Sequence, residues 1–226
     1  MHEYTFLTMN STATLTFSTV RDPEEIAAAV QSVFEQYDRR LIRDSLSKVF
    51  TSAERGGPRP QTEAAGAPES SVDAEQFAST MTAMALGSAG GFLDAAGVEN
   101  WALALNGEVL VAGERAANEP WEVTVQDGAE AWERLASVKL VPPRRASKTL
   151  RLGKNSRGPR DLVQVTVIAD DILAADRATV DVLSGGVQQF SRRASKWTVD
   201  AIAIDRTGSV HITGGAFAAV RSGPKD

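Results

Sequence analysis

The sequence predicts an α+β protein built mostly from antiparallel sheet with packed helices, and three observations carry that expectation. Segments of alternating hydrophobicity outnumber segments with helical spacing. Two of the links between them, Asn106-Gly107 and Asp205-Arg206-Thr207-Gly208, have hairpin chemistry. Hairpins also outnumber any strand-helix-strand alternation, the order a parallel sheet requires. A chain of 226 residues fits one domain or two small ones, and the expectation is a single unit spanning 1–226 with a flexible linker at about 54–71.

The elements follow in order. Residues 12–18, TATLTFS, put Ala13, Leu15 and Phe17 on one side and hydroxyls on the other, as a half-buried strand does. A helix over 22–43 comes next, with Asp22 placed to cap it, Pro23 at its first position and Glu25 where a capping box wants it. Ile26, Val30, Val33, Phe34, Tyr37 and Leu41 recur at helical spacing and form its core stripe. From Glu54 to Ser71 the periodicity vanishes and Gly, Pro, Ala and Glu dominate, which predicts a loop. A second helix over about 73–96 contains Gly-Ser-Ala-Gly-Gly at 87–91, which predicts a kink or break. A hairpin over 101–113 turns at Asn106-Gly107. Further strands are expected at 121–126, 136–141, 162–168, 198–204 and 209–213, and helices at 171–183 and 185–194.

Composition narrows the chemistry. Hydrophobic residues at 42% and charged residues at 23% describe a soluble globular chain and exclude a membrane span. The net charge of -5 argues against a nucleic-acid partner. The densest basic run, Arg144, Arg145, Lys148, Arg151, Lys154, Arg157 and Arg160, reads as a solvated loop or, at most, an anion-binding one. Cysteine is absent, so thiolate nucleophiles, sulfur-built zinc sites and disulfides are excluded, and a metal would need oxygen ligands or one of the two histidines. The N-terminal stretch lacks the basic start and apolar core of a signal peptide, giving a cytoplasmic expectation. Nucleotide-binding glycine loops, a nucleophile elbow and paired-histidine metal motifs are missing. His211 alternates with Val210 and Ile212 and reads as a surface histidine of a strand.

The ordered set of segments resembles a known family. WALALNGEVLVAG followed by PWEVTVQD is similar to a strand, a Gly-Gly-Asp turn, a strand ending in glycine and a Pro-Trp-Arg-Val-type strand. DLVQVTVIADDILAADRATVDVLSGG is similar to a strand and an Ala-Asp-containing helix, AIAIDRTGSVHITGG to a closing hairpin, and FLTMNSTATLTF to a Met-Gly-Thr strand. Together these resemble the ApbE-type FAD:protein FMN transferases, which have a T-fold-like α+β architecture. The resemblance covers most of 5–50 and 72–216. It implies magnesium-dependent transfer of FMN from FAD to a threonine or serine hydroxyl of an acceptor protein, with release of AMP. A cation would offset charge on the phosphate oxygens during such a transfer.

Carried over by position, the resemblance implies Asp176 as a metal ligand. The hydroxyl expected four residues later is Val180, so Thr179 is the available substitute. Aligning VDAEQFASTM with the family's Asp-Leu-Gly-Gly-x-Ala-Lys-Gly segment makes Asp73 a flavin contact and Gln76 a carbonyl donor to the metal, and puts Ser79-Thr80 in place of Lys-Gly. The resemblance implies Met9, in the Met-Gly-Thr-like strand, and Asn106 and Gly107, at the Gly-Gly-Asp-like turn, as further cofactor contacts. The His-Ile-x-Asp-Pro-x-Thr-Gly loop has no counterpart in LRLGKNSRGPR at 150–160, so the implied site is degenerate. The alternative is an inactive member that binds flavin, nucleotide or a partner protein. Each residue also has a structural reading: Asp176 as a paired helix carboxylate, Thr179 as a core-edge hydroxyl, Asp73 as a helix cap and Met9 as core.

Overall fold

The computed structural model describes residues 1–18, 22–54, 69–126, 134–143, 145–152 and 161–221, with the side chains of 44–54, 69–76, 134, 220 and 221 outside that description. Chain order begins with strands β1 (His2–Thr8) and β2 (Ser11–Phe17) and helices α1 (Pro23–Glu54) and α2 (Glu69–Ala95). Strands β3 (Trp101–Leu105), β4 (Glu108–Ala112), β5 (Trp121–Gln126), β6 (Arg134–Leu140), β7 (Ala146–Arg151) and β8 (Leu162–Ala169) follow. Helix α3 (Ile172–Trp197), strands β9 (Asp200–Asp205) and β10 (Val210–Ile212), helix α4 (Gly214–Ala219) and strand β11 (Val220–Arg221) complete it.

These strands form an eight-stranded sheet in the order β1-β2-β3-β4-β7-β8-β9-β10, and every pairing in it is antiparallel. The expected class is therefore observed. One face carries α1, α2 and α3 over a core that includes Phe17, Phe34, Leu93, Trp101, Leu103 and Val167. The opposite face carries a three-stranded sheet, β11-β6-β5, through Val111, Val123, Val138, Leu140, Ile168 and Ile202. Alternation explains the division: along β4, Leu110 belongs to the helix side and Val111 to the small-sheet side.

Two tight turns at one end of the large sheet need left-handed backbone. Asn106 and Gly107 have φ of 52° and 76°, as their sequence predicts. Met9 and Asn10 adopt the same kind of turn, at φ of 49° and 58°, between β1 and β2. A buried Met with positive φ is uncommon, and it costs about 1 kcal/mol that a glycine would not.

Several elements differ from expectation. Helix α2 runs unbroken through Gly87–Gly91. Gly90 is there because of tertiary packing: a Cβ on it would lie 2.6 Å from the Trp101 ring and 2.9 Å from Leu110. The two helices expected at 171–183 and 185–194 are segments of α3 that meet at Gly186, the one non-helical residue inside it, with φ of 66°. Asp171 caps this helix by accepting the Ala174 amide at 2.8 Å. Asp22 has φ of 66°, not the extended backbone of a side-chain cap. Helix α1 continues to Glu54 and α2 begins at Glu69, and the rest of the segment expected as a linker, residues 55–68, lies outside the described residues. The strands β1 and β7 are absent from the sequence expectation. Among the described residues, no helix is long and apolar enough to cross a membrane.

Candidate functional site

Among the described residues, a dense buried polar cluster lies between the large sheet and its helices. Lys148 on β7 stands directly opposite Glu108 on β4, and its side chain points to the helix layer. There its ammonium donates to Glu108 Oε1, to Ser79 Oγ of α2, and to Asp176 Oδ1 of α3 at 2.9 Å. Ser79 donates in turn to Asp176 Oδ1 at 2.5 Å, and Thr80 donates to Asp176 Oδ2 at 3.0 Å. Four elements thus meet at one ammonium. Glu108, Lys148 and Asp176 are 1%, 4% and 3% exposed, so solvent screens this cluster little.

One ammonium faces two carboxylates, which leaves excess negative charge in a desolvated place. Burial accordingly pushes the Glu108 carboxyl up to about 7 from 4.5, against the pull of Lys148. Its second oxygen, Oε2, has no hydrogen-bond partner among the described residues. Because the folded carboxyl binds a proton more tightly than the unfolded one, the folded state holds more protons between pH 4.5 and about 7. Stability therefore falls as pH rises through that window. Urea titrations across it are expected to show this slope in the wild type and a flatter profile in Glu108→Gln; equal slopes would contradict the assignment.

The residues singled out by sequence divide into three groups. Asp176 is the hub of the cluster. Thr179 is fully buried one turn along α3, where its hydroxyl donates to the Ala175 carbonyl at 2.6 Å. Met9 packs near α2, with the Thr82 hydroxyl 3.8 Å from its sulfur. Asn106 and Gly107 form the turn that delivers Glu108, and Gly107 accepts the Thr149 amide at 2.9 Å through its carbonyl. Strand register puts this turn and the Met9-Asn10 turn at the same end of the sheet. Asp73 and Gln76 lie inside α2, but their side chains are outside the described residues. Asp73 follows the start of α2 and does not cap it.

Two members of the cluster, Glu108 and Lys148, are not among the sequence candidates. Both carried usable signals. Glu108 follows the hairpin turn at the acidic position of the Gly-Gly-Asp-like motif, and Lys148 alternates with Ala146 and Leu150 on the apolar side of a strand. The basic run at 144–160 therefore does not behave as one solvated loop: Lys148 is core, and Arg145 stacks over Trp101 at 5.3 Å while pairing with Asp94. Arg144, Lys154, Arg157 and Arg160 lie outside the described residues. His211 pairs with Asp205 at 3.0 Å on the strand expected for it. A cavity of about 410 Å³ opens on the other face of the sheet, among Val111, Leu140, Pro142, Arg145 and Asp170.

A search of solved structures found chains of the same architecture. The flavin transferase ApbE from Vibrio cholerae matches with a TM-score of 0.67 at 10% identity, covering 96% of this chain and 98% of the other. The fold is that of the ApbE flavin transferases. The Pseudomonas stutzeri flavinyl transferase ApbE in its apo form matches with a TM-score of 0.68 at 15% identity, over 97% of each chain. The ApbE protein of Thermotoga maritima gives 0.69 at 12%, over 98% and 99%. No family model and no curated protein sequence matches the chain. At such identities the likeness to ApbE concerns architecture, and chemistry must be argued from the residues present.

The residues test poorly as a magnesium site. Both Asp176 oxygens already accept hydrogen bonds, one of them from an ammonium, and the Thr179 hydroxyl is directed at its own helix. A divalent cation at Asp176 would meet the positive charge of Lys148 at close range, which opposes binding. Among the described residues, no group of three His, Asp or Glu side chains is arranged to hold a metal.

Proposed function

We propose that this chain is an FAD-binding protein of the flavin-transferase fold that does not carry out metal-assisted FMN transfer. The observation that carries the reading is the engagement of Asp176: its oxygens are held by Lys148, Ser79 and Thr80. The three protons of Lys148 go to Glu108, Ser79 and Asp176, so the ammonium has none left for a phosphate oxygen. Phosphoryl transfer depends on positive charge aimed at the reacting phosphate. This cluster supplies none. Flavin contacts are assigned to the sheet end formed by Met9, Asn106 and Gly107, with Asp73 on α2 as a further contact.

A second reading is retained transfer of FMN from FAD to a threonine or serine of an acceptor protein, with Gln76, Asp176 and Thr179 around magnesium. Near-complete coverage of chains named flavin transferases favours it. One experiment separates the two. The purified chain is dialysed against FAD with magnesium or with EDTA, and the solution is assayed for AMP in the presence of a threonine-bearing acceptor. The first reading expects FAD retained equally under both conditions and AMP at the no-protein background. Magnesium-dependent AMP formation would select the second, and absence of retained FAD and of AMP would end both.

A further inference from the structure

The shell around the Lys148 ammonium has the composition of a hard-cation site. It consists of oxygen alone: Glu108 Oε1, Asp176 Oδ1 and Ser79 Oγ, with Thr80 behind on Asp176 Oδ2. Two carboxylates and two hydroxyls are the donor types that calcium, magnesium and manganese prefer. The oxygens come from β4, α2 and α3, and the ammonium from β7, so the frame does not depend on one flexible loop. A second feature points the same way. Glu108 Oε2 is buried without a partner among the described residues, an acceptor lone pair that the single ammonium leaves unfilled.

We infer that Lys148 is a tethered cation holding a divalent-cation site shut, and that shortening its side chain lets Glu108, Asp176, Ser79 and Thr80 take up one such ion. The ammonium carries one positive charge into a shell with two carboxylates, and a divalent ion balances that shell better. The covalent tether gives the lysine its advantage, because an ion attached to the strand is at the site without any cost of association. The inference rests on the geometry of the cluster and is independent of whether FAD is the ligand.

Manganese alone, with no flavin present, is the probe. Metal-free wild type, Lys148→Ala, the double variant K148A/E108Q and the double variant K148A/D176N are titrated, with free manganese followed by its electron paramagnetic resonance signal and the melting temperature measured in parallel. The wild type is expected to leave the signal unchanged. K148A is expected to bind one manganese per chain with a dissociation constant on the order of 0.1 mM, within the range of weak oxygen-ligand sites. It should also gain a manganese-dependent rise in melting temperature, and K148A/D176N should bind at least about tenfold more weakly, the loss of a charged ligand costing more than 1.4 kcal/mol. K148A/E108Q keeps the net charge of the wild-type cluster and serves where K148A alone does not fold; it too must bind manganese more tightly than the wild type. Wild type binding as tightly as K148A, or no gain in either Lys148 variant, overturns the inference.

Discussion

Lys148→Met is expected to lower the unfolding free energy by about 3–5 kcal/mol, because it leaves buried carboxylates without their counter-ion. Methionine matches the length of the lysine stem, so packing is nearly kept and the loss reports charge. Glu108 and Asp176 would then face each other across four elements with only Ser79 and Thr80 as donors. Urea denaturation would show a lower midpoint at unchanged slope, and calorimetry a melting temperature reduced by about 10 °C for a chain of this size. The loss should shrink in mildly acidic buffer, where Glu108 takes up a proton and part of the repulsion disappears. Replacing Lys148, Glu108 and Asp176 together by apolar residues of similar volume should restore much of the stability, since the desolvation of all three charges is then removed. A Lys148→Met protein as stable as the wild type at every pH would mean that the cluster is not a buried ion network.

Trp101→Ala is expected to cost a similar amount, about 3–5 kcal/mol, for a different reason. The indole is fully buried at the junction of β2, β3 and β4, where Trp101 pairs with Phe17 and Ala112. Its Nε1 donates to Asp94 at 3.0 Å, and Arg145 lies over the ring. Truncation leaves a cavity and deprives Asp94 of a donor. Gly90 offers an internal check, because a methyl group there would press on the same ring. Gly90→Ala alone should destabilise by about 1–3 kcal/mol through overpacking. In the Trp101→Ala background the added methyl enters the vacated space, so the double variant should be more stable than the sum of the single losses indicates. Strict additivity in a double-mutant cycle would show that the two positions do not touch.

How much of this was legible in the sequence varies with the kind of signal. The Asn106-Gly107 hairpin reads correctly because its left-handed φ angles have a local residue signature. The Met9-Asn10 turn has no such signature, and β1 before it goes unread although Tyr4 and Phe6 alternate toward the helices. Strand β7 is hidden by its charge. In ASKTLR, Lys148 and Arg151 resemble solvent-facing residues of a basic loop, and only the positions of Ala146 and Leu150 betray a buried face. The glycines of α2 mislead in the opposite direction, since their helix penalty is local while the fit of Gly90 against Trp101 is tertiary.

The candidate site divides in the same way. Asp176 is singled out through the resemblance, which implies it as a metal ligand, while the sequence equally allows it as a paired helix carboxylate. Its partners are not singled out, because Lys148 and Glu108 lie 28 and 68 residues away in the chain and meet it only through strand pairing and helix packing. Where the resemblance places a lysine at the position of Ser79, the folded chain brings the amine of Lys148 to the Ser79 hydroxyl from strand β7. A position-by-position comparison scores that as a loss.

The placement of Lys148 also bears on how the chain finds its pairing. Strand β7 lies between β4 and β8, and sliding it by one residue would turn Lys148 toward the small sheet and present Ser147 or Thr149 to Asp176. Such a slip strands an ammonium on one side of the sheet and acids on the other. The ion pair thus acts as a proofreading key, rejecting misaligned strands that hydrophobicity alone would tolerate.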